Sequence, residues 1–376
     1  MHIRKLLAWA LCLCLILSLV PAVSADNETL TPALTGNTGA TITCSSTPLS
    51  AEGNNNDLAI VEIRGNTVKV IGKDNAVGVA RLTVQTSSGY HIFDIPIGYT
   101  PFVFNGNTLT VIPGSSSNYE VTGINAAAEE YVVGDATYPL PYTTDANGYQ
   151  VFENTSTYKL NVGLKKNGGT YVFTGTGADG SITVKKAAVN PTTILLAGLD
   201  LTSSFTAPIA IKKESTTTAT ITALGGFTNT LTDNAFNNAD TYGPTDEGGN
   251  GSNAEYAESA VIKGKSNSQL TVNGAGTLNL VCNTKNALKV GEYGSLTIDG
   301  LTLNVTSAKN GISSDNTMTI NGGPIGVTTS DGDCIRSDPD AVDATAGCAG
   351  SIVINGGSLT PQSATGGVQA SPDATV

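Results

Sequence analysis

Five residues in the last third of the chain have the types and spacing to hold a hard cation, and Arg336 beside them has the type to hold a carboxylate. Aligning the repeated segments on Leu288, Ile312 and Ile335 stacks Asn286, Asn310 and Asp333 in one column, and Asp315 with Asp338 in another. Asp331 and Asp340 flank the last of these segments, and Asp343 follows. Calcium takes about six to eight oxygens at roughly 2.3–2.6 Å from carboxylates, amides and carbonyls. Carboxylates one segment apart can share such an ion; unshared, they repel. Asp331, Asp333, Asp338, Asp315 and Asn310 are therefore the candidate Ca2+ ligands. The alternative is that the asparagines form a hydrogen-bonded ladder and the aspartates make solvated turns.

Arg336 stands among these acids, and no other arginine follows Arg81. Three roles are open to it. It can take the C5 proton of a uronate in a β-elimination, a reaction that needs a cation to neutralise the sugar carboxylate. It can bind that carboxylate without chemistry. It can pair with Asp333 or Asp338, and this third role ranks first. Hydrolysis by two carboxylates has no preferred pair among so many aspartates. Histidine chemistry has nothing to build on, because only His91 remains once the N-terminal segment is removed. Sugars stack on aromatic rings, and Tyr293 and Tyr256 are the candidate rings, although ordinary packing competes for both.

The elements that must position these residues are legible as repeats. Leu270-Thr-Val-Asn-Gly, Leu296-Thr-Ile-Asp-Gly, Met318-Thr-Ile-Asn-Gly and Ile352-Val-Ile-Asn-Gly recur at intervals of 26, 22 and 34 residues. Between them run Ala260-Val-Ile-Lys, Asn286-Ala-Leu-Lys, Asn310-Gly-Ile-Ser and Asp333-Cys-Ile-Arg. Alternating apolar residues, a period in the twenties and an Asn-Gly or Asp-Gly corner predict a β-solenoid. Successive turns would then align side chains about 4.8 Å apart on long flat faces, which suit extended polymers. The residues from Thr230 to Tyr256 are polar and rich in Gly and Asn, and read as a long functional loop.

Composition narrows the partners. Arg4, Lys5, the apolar run Leu6 to Val20 and Val23-Ser-Ala25 read as a secretory signal over 1–25. Loss of its two cations takes the formal charge from −12 to −14. Such acidity argues against nucleic acid, and no later apolar run is long enough to insert in a membrane. Of the four remaining cysteines, Cys334 and Cys348 flank the long repeat interval. A disulfide there would contribute about 3 kcal/mol; alternatively all four, with Cys44 and Cys282, are small buried residues. Short alternating strands with regular turns predict a β-sandwich over 26–100, where Ala59 to Thr86 resembles a bacterial immunoglobulin-like module, by default a spacer. Residues 101–157 read as a connector that caps the solenoid, and 158–376 as the solenoid itself, with no cap after Val376.

Four stretches carry a wider resemblance: Gly169-Thr-Tyr-Val-Phe-Thr-Gly, Ile194-Leu-Leu-Ala-Gly-Leu-Asp-Leu-Thr-Ser, Thr228-Asn-Thr-Leu-Thr-Asp233, and the segments from Ala260-Val-Ile-Lys to Asp333-Cys-Ile-Arg-Ser-Asp338. In their order and spacing, the residues from about Tyr158 onward resemble a family of secreted clostridial carbohydrate-binding proteins. The resemblance implies a right-handed parallel β-helix similar to pectate lyases, bound calcium, and affinity for cellulose and acidic plant polysaccharides, without established lyase activity. The chain departs from the family where Lys285-Asn286 and Lys309-Asn310 stand in place of paired acids; only Asp331-Gly-Asp333 keeps them. The expected protein is all-β: a right-handed parallel β-helix preceded by a small Ig-like β-sandwich. It is expected to be secreted, to bind calcium, and to hold cellulose or a polyuronate without catalysis. A structural cell-surface or matrix rod is the alternative and a calcium-dependent lyase the third reading, with self-association left open.

Overall fold

The computed structural model describes residues 28–125, 137–185, 189–212, 218–242, 256–338 and 350–370. The secretory segment over 1–25, the helical turn considered for Ala126 to Tyr131, and Asp340, Asp343 and Cys348 all lie outside the described residues. Among the described residues the regular structure is strand, except for a 3-10 turn at Ala235–Asn237 and a four-residue helix at Ala239–Tyr242. No helix among the described residues is long and apolar enough to cross a membrane.

The N-terminal strands form two antiparallel sheets. Ala33–Leu34, Gly39–Thr43, Thr67–Gly72 and Ala59–Arg64 make one; Ser50–Gly53, Gly78–Thr86 and Gly89–Ile97 make the other. Gly78–Thr86 alternates buried and half-exposed positions along most of its length, as a strand with one covered face does. Ile42, Val68 and Val70 of the first sheet share a core with Leu82, Val84 and Ile95 of the second.

That core also contains Val172, Leu195, Ala197, Leu224 and Phe227 of the repeat region. A spacer strung on a linker would share no core with its neighbour, so the module is docked rather than tethered. The seam is polar at one point. Asp94 accepts from Arg81 Nε at 2.9 Å and from the Gly225 amide at 3.1 Å, while its own amide donates to the Gly225 carbonyl at 2.8 Å. The next residue, Gly226, has φ +81°, and a Cβ there would lie 2.2 Å from the Phe93 ring. Only glycine permits that approach. Asp94→Ala leaves the Gly225 amide and Arg81 without their acceptor, and about 1–2 kcal/mol of stability should be lost. Urea unfolding of the full chain would read this as a lower midpoint, and an unchanged midpoint would show that the apolar contacts alone hold the module.

From residue 100 onward the strands stack. Thr100–Gly106 runs parallel to Gly169–Gly177, whereas Tyr119–Asn125 pairs antiparallel with Tyr158–Leu164. Antiparallel strands therefore cover the first edges of the stack, where open backbone groups would otherwise invite pairing. Large rings fill this end: Phe102 stacks on Phe173 at 4.9 Å and meets Tyr119 edge-on at 5.0 Å. The buried Tyr171 hydroxyl accepts from Ser116 Oγ and donates to the Asn118 carbonyl, each at 2.9 Å.

Each later turn supplies three strands. The turn that begins with Ala260–Gly264 continues through Gln269–Gly274 and Thr277–Cys282; the next runs Asn286–Val290, Ser295–Asp299, Thr302–Ser307. All pair in parallel with their equivalents one turn away. Leu270, Leu296, Met318 and Ile352 are register partners in succession, as are Ile262, Leu288, Ile312 and Ile335. These columns are fully buried, and they make one continuous core with Leu278, Leu303 and Ile325 from the third strand. The three strands of a turn thus form three walls around apolar columns. The long repeat interval does not break this register, since Met318 still pairs with Ile352. Cys44, Cys282 and Cys334 are buried free thiols. Cys334 Sγ donates to the Val327 carbonyl at 3.3 Å; its candidate disulfide partner, Cys348, lies outside the described residues.

Candidate functional site

The first wall, the ten-strand sheet, carries most of the residues singled out for chemistry. Its strands begin at a corner where side-chain amides climb from turn to turn. Asn286 Nδ2 donates to the Ser259 carbonyl at 3.2 Å, Asn310 Nδ2 to Asn286 Oδ1 at 3.3 Å, and the Asp333 amide to Asn310 Oδ1 at 3.0 Å. Asp333 Oδ1 accepts from Thr365 Oγ1 at 3.3 Å. This column is the hydrogen-bonded ladder that the sequence left as the alternative to metal ligation.

The other acids stand at the far end of the same strands. Asp315 and Asp338 each follow the last paired residue, Ser314 or Ser337. Five residues of strand, roughly 17 Å, separate Asp333 from Asp338. Asp331 is exposed beside the first corner. Asp331, Asp333 and Asn310 therefore gather at one edge of the wall, Asp315 and Asp338 at the other. Both far-edge acids are engaged: Asp315 accepts from Lys289 Nζ at 2.7 Å, and Asp338 pairs with Arg336 Nη2. Among the described residues no three His, Cys, Asp or Glu side chains gather into a metal-binding group. The five candidate Ca2+ ligands thus fall into two groups, held apart by an extended strand.

Arg336 belongs to a column that runs Lys263, Lys289, Ser313, Arg336, Gln369 along the middle of this wall. Its guanidinium is committed to Asp338, the role ranked first from sequence. Glu258 adds a buried acid: Oε1 meets Lys212 Nζ at 2.5 Å and Oε2 meets Lys265 Nζ at 3.2 Å, with its side chain only 2% exposed. Glu258 escaped sequence reasoning because it precedes the repeated phrase and matches no column.

The second wall is of a different character. Thr170, Thr193, Thr220, Thr271, Thr297 and Thr319 are register partners in unbroken succession. All six are half-buried, and each is followed by a buried apolar residue that faces the core, so each threonine points to the opposite, outward side of the strand. Thr218, Gln269, Ser295, Thr317 and Ser351 form a second column beside them. On the other side Thr222 Oγ1 donates to Asn273 Oδ1 at 2.7 Å, and Asn273 is followed in register by Asp299. The result is a flat grid of hydroxyls and amides. Each hydroxyl can donate one hydrogen bond and accept others. The signal was present in the sequence as the threonine inside each Leu-Thr-Val-Asn-Gly phrase.

The two candidate rings are placed differently. Tyr293 lies at the corner that enters the second wall, 42% exposed and at φ +56°. Its counterpart one turn earlier, Asn267, has φ +65°, so the corner keeps a left-handed residue in both turns. Tyr293 thus borders the threonine grid. Tyr256 is partly buried where the chain rejoins the first wall, away from that grid. Arg336 lies on the first wall, so the structure does not bring the three proposed ligand-binding residues together.

A family model described as carbohydrate-binding domain-containing protein matches residues 161–376. Among solved structures, a polysaccharide lyase-like protein from C. thermocellum, studied as a gadolinium derivative, is similar at 21% identity. The match covers 69% of this chain and 81% of that one, with a TM-score of 0.45. No curated protein matches the chain in sequence.

Proposed function

This chain belongs to the family of carbohydrate-binding domain-containing proteins, and from that premise we propose that it is a secreted, non-catalytic binder of extended plant-type polysaccharide. In this reading residues 158–376 form a right-handed parallel β-helix, residues 26–100 an Ig-like β-sandwich held against it, and the threonine wall is the binding face. One observation carries the assignment: six threonines in unbroken register on parallel strands, of which Thr271, Thr297 and Thr319 lie beyond the strands that pack against the N-terminal module. Their spacing of about 4.8 Å offers a polymer a row of identical donors and acceptors. Each hydrogen bond contributes about 1 kcal/mol or less in net terms, but a chain crossing several turns engages many at once. Tyr293 at the border adds one ring for stacking.

The first wall bears on specificity and on chemistry. Its cations give an acidic glycan a second place to dock, through Lys289 and Arg336. The pairing of Arg336 with Asp338 leaves it a poor base, which supports binding over lyase chemistry. The reading does not require calcium, whose proposed ligands stand in two groups, Asp331, Asp333 and Asn310 at one end of the strand and Asp315 and Asp338 at the other.

Affinity electrophoresis of the mature protein tests this, in gels with a soluble cellulose derivative, polygalacturonate or no polymer, each with calcium or chelator. Retardation by polymer in both ion conditions is expected. The triple variant Thr271→Ala, Thr297→Ala, Thr319→Ala should keep its fold and weaken retardation roughly tenfold or more. Unretarded wild-type protein in every gel would sink the reading. Undiminished retardation of the variant would move the binding face elsewhere, and retardation abolished by chelator would restore calcium.

A further inference from the structure

The first wall holds more cations than its carboxylates pair. Lys263 and Lys289 are register partners on adjacent parallel strands, so their backbones lie about 4.8 Å apart. Glu258 divides its two oxygens between Lys212 and Lys265, and Asp315 accepts from Lys289. Beyond its backbone pairing, the Lys263 ammonium makes no hydrogen bond or ion pair among the described residues. Its other register neighbour is Ala210, which brings no charge.

The charged groups around Lys263 come from both sides of its strand. Lys289 and Lys265 repel its ammonium, whereas Glu258 and Asp315 attract it; burial opposes the charge most of all. Burial and the Lys289 charge prevail, and the amine is drawn down to about 8. An amine desolvated beside another cation is the arrangement that turns lysine into a nucleophile near neutral pH.

We propose that Lys263 is a carbonyl-capturing amine that binds aldehydes reversibly as Schiff bases, the open-chain ends of reducing sugars among them. The neutral nitrogen adds its lone pair to the aldehyde carbon, and the carbonyl π electrons move to oxygen. Oxygen takes up the proton that nitrogen sheds. A solvent proton on the carbinolamine hydroxyl lets it depart as water while the nitrogen lone pair forms the carbon–nitrogen double bond, which leaves a cationic iminium that keeps its N–H. One water is released and no redox partner is needed. The reaction does not depend on the threonine wall.

The test exposes the full chain to glyceraldehyde with cyanoborohydride, which reduces the iminium to a stable secondary amine, and maps the modified lysines by peptide mass spectrometry. At pH 7.5 Lys263 should be modified about tenfold faster than the exposed Lys73 and Lys309, with a rate that rises through pH 8. Lys289→Gln removes the neighbouring charge and releases Asp315, so Lys263 should slow by about tenfold for each unit its pKa rises. Modification of Lys263 at the rate of the exposed lysines, or a rate that rises only in the ordinary lysine range, would overturn the proposal. Glyceraldehyde is too small to report on polymer binding, so failure here and failure of the polysaccharide reading are separate results.

Discussion

Glu258→Gln is expected to lower the stability of the full chain by about 3–5 kcal/mol, the usual result of removing one partner from a buried charge cluster. The substitution preserves volume, so no cavity forms. What changes is charge. Glu258 is 2% exposed and serves two lysines that are themselves only 24% and 28% exposed. Without it, Lys212 and Lys265 lose their carboxylate and Lys263 loses one of its two attractive neighbours. Urea unfolding should show the lower midpoint with little recovery in high salt, because buried pairs are weakly screened. Adding Lys212→Met and Lys265→Met to Glu258→Gln should recover most of the loss, since the stranded charges then leave with the acid. A loss under about 1 kcal/mol would mean that the cluster is solvated and behaves as a surface pair.

The apolar framework was legible in the sequence because its period is enforced by stacking. Leu270, Leu296, Met318 and Ile352 align in the repeated phrase and are register partners in the structure. A slip of one residue would turn each of them outward, so the phrase cannot recur without the register. The docking of the N-terminal module was not legible. It depends on Leu195, Leu224 and Phe227 meeting Phe93 and Ile95, and no local pattern records a contact between segments more than a hundred residues apart.

The two columns of the site were legible in the sequence, but the distance between them was not. Asn286, Asn310 and Asp333 stack in one column and Asp315 and Asp338 in another, only a few residues apart in sequence. On an extended strand those few residues span roughly 17 Å, and the acids face different corners. The pairing of Arg336 with Asp338, two residues apart on one side of a strand, was legible for the same geometric reason. The threonine wall went unassigned because a threonine in a strand reads as ordinary β-propensity; it becomes a feature only when six stand in register.

Lys263→Met should stabilise the protein at neutral pH, by about 2 kcal/mol, with an effect that fades as pH rises. The folded-state amine lies at about 8 against an ordinary value of 10.5. Below pH 8 both states carry the proton, and the folded state bears the full cost of holding the charge. Between pH 8 and 10.5 the unfolded chain binds a proton that the folded chain has lost, so the stability of the unsubstituted protein climbs with pH. Above 10.5 both states are neutral and the cost is gone. The full displacement corresponds to a ceiling of about 3–4 kcal/mol, reduced because Lys263 is partly open to solvent. Methionine keeps the apolar stem and deletes the charge. Paired urea titrations of the two proteins at pH 7 and pH 10 read out the pH-dependent part of the difference. A stability difference that is the same at both pH values would place its origin in packing, and would leave Lys263 an ordinary cation with no special claim on an aldehyde.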